Sequence, residues 1–411
     1  MQRRQSGGDE VALLVKRASI RPSFMRIACC SIYDAQDPSA LGGRVYESLQ
    51  SIKRRVDSMY FLGPLNTGAY GPLLRIKRKY YRRVQRGTYF PERDRLAVHS
   101  YARQLSNRLS KVEADIVFSP ESPYSQPIAY LECTQPIVIW TDATFAGASR
   151  LYDEYRPENI CRESFRDAIE NERAALTRAA ALIYSSDWAA QTAIREYEVN
   201  PDKISVIPFG PASDSGIENF KKARAVIGAR PRDHCRLLFA GLDWVRKGGS
   251  TVLEVAKRLN AGGLRTELSI IGSYPDVHEP LPEFVQTTGY ISRASVDGAN
   301  KLNELFIRSH FLLLPSRADC TPLVFSEASA FAVPSLATNV GGIPTVVRPG
   351  VNGRTFSLDA DPDEYCEYIS NMFANYRSYQ ELALSSYAEF KQRLNNDVSA
   401  ESVLKVMAEL L

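Results

Sequence analysis

"HFLLLPSRADCTPLVFSEASAFAVPSLATNV", residues 310–340, reads as strand, loop, helix and strand. The run 310–314 is short and almost wholly apolar, as a strand buried on both faces is. Pro322 suits the first turn of a helix that continues to Ala332, and 334–337 is again a short apolar run. A strand, a helix and a second strand in that order build a parallel sheet. The loop after the first strand carries Asp319, and Glu327 follows eight positions later. Two readings are open at this point. Asp319 and Thr321 can cap a helix that begins near Pro322, or the two carboxylates can line a site at the carboxyl end of a strand.

The same pattern extends in both directions. In the first half, 26–32, 115–119, 136–140, 181–184 and 204–208 read as strands, and Val45, Leu49 and Ile52 mark one face of a helix. Phe165, Ile169, Leu176 and Ala179 mark another, and Ser185, Ser186 and Asp187 supply N-cap chemistry for a helix over 188–196. In the second half, strands at 236–240 and 267–271 alternate with helices at 250–259 and 297–309. A chain of 411 residues exceeds the usual span of one core. Phe209, Gly210 and Pro211 break the pattern between the halves. The expectation is therefore α/β: two doubly wound domains over 26–208 and 209–389, after a polar extension at 1–25.

Composition narrows the class. A hydrophobic fraction of 44% and a charged fraction of 24% are those of a globular protein. The seven cysteines (29, 30, 133, 161, 235, 320 and 366) are scattered, without a C-x-x-C pair, which argues against a disulfide framework or a zinc site and fits a reducing compartment. With no transmembrane run and no signal-peptide pattern, the expectation is a cytoplasmic protein. Net charge is only +4, but residues 75–95 hold nine Lys/Arg and four Tyr/Phe against two acidic residues. That segment reads either as a solvated helical face or as a surface for an anionic membrane or acceptor, which would put the protein at the inner face of the membrane. Nucleic acid is not expected, because the charge is not chain-wide.

Three loops at carboxyl ends of second-half strands carry chemistry. Residues 241–249 (GLDWVRKGG) place Arg246 and Lys247 among glycines, and an Arg–Lys pair suits a diphosphate. Residues 339–343 (NVGGI) offer a glycine loop ahead of a helical stretch, of the kind that presents N–H groups to an anion. The loop bearing Asp319 lies between them in the chain. Ligands of doubly wound sheets bind at these strand ends, and such a row could seat a nucleoside diphosphate with a sugar attached. No G-x-G-x-x-G follows the first strand, and no G-x-x-x-x-G-K-[ST] or G-x-S-x-G occurs. The four histidines show no metal-binding spacing, so no metal and no cofactor are expected.

With those residues in view, the chain resembles the retaining glycosyltransferases of GT-B fold, family 4 type (glycosyl transferases group 1). The likeness runs from about Arg26 onward and is strongest in Asp319-x7-Glu327, similar to that family's E-x7-E with Asp in the first place. It is supported by "EASAFAVPSLATNVGGIPTVVRPGVNGRTF", "GLDWVRKGG" and "SSDWAAQTAIREYEVNPDKISVIPFGP". The resemblance implies two Rossmann-like domains facing a central cleft, with a C-terminal helix over about 390–411 crossing back to the first domain. It implies that Glu327 holds the donor ribose, that Asp319 lies near the transferred sugar, and that Arg246 and Lys247 neutralise the departing diphosphate. Gly341, Gly342 and Ile343 would offer N–H groups, Tyr290, Thr321 and Leu323 would line the donor site, and Gly42 and Gly43 would shape the first-domain side. The implied partners are a nucleoside-diphosphate sugar and a saccharide, lipid-linked or small-molecule acceptor.

Departures from the family pattern are specific. Leu242 stands where many relatives carry Arg, so Arg246 is expected to substitute. Where many relatives place a first-domain His, residues 140–145 offer Asp142, expected near the acceptor; the other reading of Asp142 is a turn or N-cap residue. Ala332 replaces a common Gly, a change expected to concern packing alone. The alternatives are a nucleotide-sugar epimerase or hydrolase on the same fold and a non-catalytic nucleotide-sugar-binding protein.

Overall fold

The computed structural model describes residues 25–38, 46–85, 87–120, 126–277 and 279–411. Two six-stranded parallel sheets organise them. The first has the order β2-β1-β3-β4-β5-β6, with β1 Arg26–Cys29, β2 Ser58–Phe61, β3 Ile116–Pro120, β4 Ile137–Thr141, β5 Ala181–Tyr184 and β6 Ile204–Val206. Its helices are α1 Tyr46–Lys53, α2 Gly71–Tyr80, α3 Arg95–Leu109, α4 Phe145–Leu151, α5 Arg162–Arg178 and α6 Asp187–Tyr197.

The second sheet has the order β12-β11-β10-β7-β8-β9, with β7 Cys235–Gly241, β8 Thr266–Gly272, β9 Val285–Thr287, β10 Phe311–Leu314, β11 Ser335–Thr338 and β12 Gly353–Phe356. Its helices are α7 Phe220–Ala229, α8 Gly249–Ala261, α9 Val296–Arg308, α10 Val324–Ala330, α11 Ile343–Val346, α12 Pro362–Ala374 and α13 Tyr376–Gln392, followed by α14 Asn396–Ala408.

Central strands are apolar on both faces because helices cover both faces: every residue of β3, β4, β5, β10 and β11 is buried. Side chains of β1, β3 and β4 alternate between two clusters of the first domain, one with Val117 and Ile139, the other with Phe118 and Trp140. The second cluster also contains Ala400, Val403, Leu404 and Met407 of α14. The last helix thus belongs to the first domain's core. Ser48 Oγ donates to Asn396 Oδ1 at 2.6 Å and Ser399 Oγ to the Pro208 carbonyl at 2.7 Å, which fixes that docking.

The helix that carries Glu327, α10, is terminated by Ala332 with φ +56°. The expectation that Ala for Gly concerns packing alone is therefore corrected. The residue sits in the left-handed region, where a Cβ crowds the carbonyl oxygen. Buried Arg230 stabilises this end, its guanidinium donating to the carbonyls of Ile307, Phe331 and Ala332. His310 opens β10 as a structural residue: Nδ1 accepts from the Arg236 amide at 2.9 Å, and Nε2 lies 2.9 Å from the Pro231 carbonyl. Burial pushes this imidazole down to about 3, so it is neutral.

Residues 75–95 do not form one surface, which corrects the reading of that segment as a single basic face. Tyr89, Arg93 and Asp94 are buried, Asp94 as the N-cap of α3. Between Arg75 and Val84 all residues but Lys77 and Tyr81 are exposed.

Ala332→Gly should stabilise the protein by about 0.5–1 kcal/mol, because relief of the left-handed strain exceeds the added freedom of the unfolded chain. The shift in the urea midpoint measures it; a lower midpoint would mean that the buried methyl outweighs the strain.

Candidate active site

The carboxyl ends of β7, β10 and β11 lie side by side, because those strands are neighbours in the sheet. The β7 loop brings Arg246 and Lys247, and the β10 loop brings Asp319. Lys247 Nζ donates to Asp319 Oδ2, and Arg246 Nη1 stands 3.7 Å from the same oxygen. Arg246 is held further by Asp243, 3.4 Å away, and by the Ala318 carbonyl at 2.9 Å. Asp319 is 7% exposed, so its pairing with Lys247 is a necessity of burial.

Glu327 is 4% exposed and ion-paired with Arg293, from the segment between β9 and α9. Its own helix, α10, presents it from the first turn, where a carboxylate is favoured. The glycine loop packs on the Asp319 loop. Gly341 has φ +55°, and a Cβ there would lie 2.0 Å from the Asp319 carbonyl oxygen; one on Gly342 would lie 1.8 Å from that of Cys320. No other residue fits this approach. Two of its amides are used inside the protein, which corrects the role expected of Gly342 and Ile343: Gly342 N–H donates to the Asp319 carbonyl and Ile343 N–H to that of Val340. Ile343 itself is a buried core residue.

The first domain meets this row directly. Tyr152, just after α4, accepts a hydrogen bond from the Cys320 amide at 2.9 Å, and its ring lies 5.6 Å from the Arg246 guanidinium carbon. Ser185 Oγ, at the end of β5, lies 2.7 Å from Thr321 Oγ1. Ser186 caps α6 through the Ala189 amide, while Asp187 pairs with Thr345 Oγ1 at 2.8 Å. Leu323 packs against the first domain's core, so it is an interdomain contact. Asp142 is buried at the end of β4. Burial, then the charges of Cys320, Asp319 and Asp142, push the Tyr152 hydroxyl above its ordinary range, which places Asp142 within electrostatic reach of it.

Beneath this face Glu172 is buried, accepting from the Phe145 amide at 2.8 Å and from the Tyr197 hydroxyl. It anchors the start of α4, the helix that ends at Tyr152. Burial raises its carboxyl to about 7 against the lowering effect of those two donors and of Arg93.

The structure thus brings together Asp319, Arg246, Lys247, Thr321, Gly341 and Gly342, with Glu327 on the adjoining helix. Tyr290 stands apart, 70% exposed just beyond β9, and Leu242 is likewise 70% exposed. Gly42 and Gly43 lie outside the described residues. Sequence reasoning missed Tyr152, Arg293 and Glu172, whose partners are distant in the chain; Ser185 and Asp187 were seen only as capping chemistry. The one acidic trio with metal-like spacing among the described residues, Asp94, Glu163 and Asp167, is occupied by Lys77, Tyr81, Tyr89 and Arg166.

Comparison with known proteins bears on this row. Residues 234–375, which span all three loops, match the family model "Glycosyl transferases group 1". The second domain resembles a group 1 glycosyltransferase domain. Its relatives include D-inositol 3-phosphate glycosyltransferases of Paenarthrobacter aurescens, 25% identical over 62% of this chain and 63% of that one, and of Streptomyces scabiei, 28% identical over 54% and 51%. The chain aligns with between half and two thirds of the length of these curated relatives. Across 94% of the chain the fold matches a lipopolysaccharide outer core galactosyltransferase, WaaB (TM-score 0.63, 15% identical, all of that chain). It also matches Anabaena HepE, solved with UDP and glucose (TM-score 0.59, 15% identical, 94% of this chain and all of that one). The architecture is GT-B, with two Rossmann-like domains.

An ordinary glutamate ionises near 4.3 in the unfolded chain. Glu172 therefore contributes stability that is full below about pH 4.3 and fades as pH rises through 7. Glu172→Gln should gain on the wild type by on the order of 1–3 kcal/mol between pH 5 and pH 8, read from urea midpoints. A difference that does not change with pH would overturn the assignment.

Proposed function

We propose that the protein transfers a sugar, with retention of configuration and without a metal, from a nucleoside-diphosphate sugar to a saccharide, lipid-linked or small-molecule acceptor. The observation that carries the reading is the convergence of Arg246, Lys247 and Asp319 at strand ends, with Glu327 buried on the helix that follows, in a domain that matches the group 1 glycosyltransferase model.

The chemistry follows from what these groups can exchange. Lys247 and Arg246 now face Asp319 and Asp243; an incoming diphosphate offers them oxygen partners of the same charge. As the bond from the anomeric carbon to the diphosphate oxygen lengthens, negative charge grows on the leaving group and positive charge on the sugar ring. Fixed cations lower the barrier at that moment, since they need not reorganise. Asp319, beside them, is placed to face the oxocarbenium-like carbon, and the acceptor oxygen attacks from the side the diphosphate leaves. Glu327 takes ribose hydroxyls as donors in place of Arg293. Asp142 and Tyr152 make up the acceptor side, and contact between the domains excludes water.

Because HepE was solved with UDP, UDP-sugars are the first donors to test. A panel of UDP-, GDP- and ADP-sugars should raise the melting temperature for one base, with diphosphate release on adding an acceptor. No shift with any donor would overturn the reading. A shift with isomerised donor, release without acceptor, or neither would select the epimerase, the hydrolase or the binding protein. Glu327→Ala should weaken donor binding by about 1–3 kcal/mol, roughly 5- to 150-fold in Kd, through loss of a buried acceptor for two hydroxyls. Unchanged affinity in a folded variant would refute the ribose assignment.

A further inference from the structure

The outward part of the basic segment is unusual in what it exposes. On α2 and the turn after it, Leu73, Ile76, Tyr80 and Val84 are 43%, 64%, 48% and 63% exposed. Their spacing of three, four and four puts them on one stripe of the helix. Arg75, Arg78, Lys79, Arg82 and Arg83 surround them, and none forms an ion pair among the described residues. Apolar side chains beside unpaired cations are the marks of a helix that lies on a membrane surface.

The helix is also held rigidly. On its inner side Leu74 is buried, and Lys77 Nζ reaches Asp94 at 2.6 Å and Glu163 at 2.8 Å. Tyr81 donates to Glu163 at 2.7 Å. Asp94 caps α3, and Glu163 lies in the first turn of α5. Both helices run back to strands of the first sheet, so their N-termini stand at its carboxyl end, where the cleft opens. The stripe is thereby fixed near the cleft's rim.

We propose that this stripe and its cations seat on an anionic lipid bilayer and hold the cleft mouth at the lipid–water boundary. An acceptor presented from that boundary would then be a lipid-linked molecule; this last step rests on the transferase reading, whereas the docking does not.

Flotation of the full chain with vesicles tests it. With phosphatidylcholine–phosphatidylglycerol vesicles at low salt, the bound fraction should be about tenfold higher than with phosphatidylcholine alone and should fall on adding salt. The pair Ile76→Glu and Val84→Glu should lower it about tenfold, as should Arg75→Ser with Lys79→Ser and Arg83→Ser, while the thermal shift with nucleotide sugar stays unchanged. Equal flotation with both lipids, none at all, or binding kept by both variants would overturn the proposal. So would a dimer in sedimentation velocity that the glutamate pair dissociates, since a second copy would then cover the stripe. Vesicle binding without any nucleotide-sugar shift would overturn the transferase reading and support the docking.

Discussion

A buried carboxylate must have a partner, and the ion pair between Asp319 and Lys247 is the constraint on which the cleft depends. Desolvating either group alone costs several kcal/mol, so neither loop can settle without the other. The pairing is possible because β7 and β10 are neighbours in the sheet, which brings residues 72 apart in sequence to one point. Once Asp319 is fixed, its carbonyl and that of Cys320 form the floor on which Gly341 and Gly342 lie. Basic loop, acidic loop and glycine loop are thus one packed unit. The glycines serve it by close approach, with two of the loop's amides turned inward.

Glu327 obeys the same rule by another route. Its helix ends in a strained residue, Ala332, and is retained because Arg230 takes the carbonyls that a helix end leaves without partners. The strain and its compensation lie on the far side of α10 from the cleft. This helix holds a buried charge at one end while its other end is repaired from α7's flank, so stability there is set by residues with no role in the chemistry.

Much of this was legible in the sequence. Central strands announce themselves as short apolar runs because both faces are covered, and the runs at 310–314, 334–337 and 136–140 fall on β10, β11 and β4. The strands that escaped notice, β2, β9 and β12, are edge strands, where half-buried Ser58 and exposed Gln286 and Arg354 interrupt the pattern. Asp319, Lys247 and Glu327 were legible through spacing within loops. Tyr152 and Arg293 were not, since their partners lie 168 and 34 residues away and an isolated Tyr or Arg carries no local signature. Ala332 misled because identity says nothing of φ. The segment 75–95 misled because Asp94 and Arg93 turn inward, Asp94 to cap α3 and Arg93 to lay its guanidinium over the Phe145 ring.

The charges gathered at these strand ends are satisfied within the protein: Lys247 with Asp319, Arg246 with Asp243, Glu327 with Arg293. On the function proposed above, donor entry would exchange these partners, and its net energy would be a difference between two well-paired states rather than the sum of new contacts. The contacts between domains differ in kind. Tyr152 to Cys320 and Ser185 to Thr321 are single hydrogen bonds to neutral groups, worth about 0.5–1.5 kcal/mol each. Tyr152 touches both the Cys320 amide and the Arg246 guanidinium. Tyr152 therefore ties the contact between the domains to the position of Arg246, and a variant that disturbs α4 through Glu172 would reach Arg246 by way of this residue.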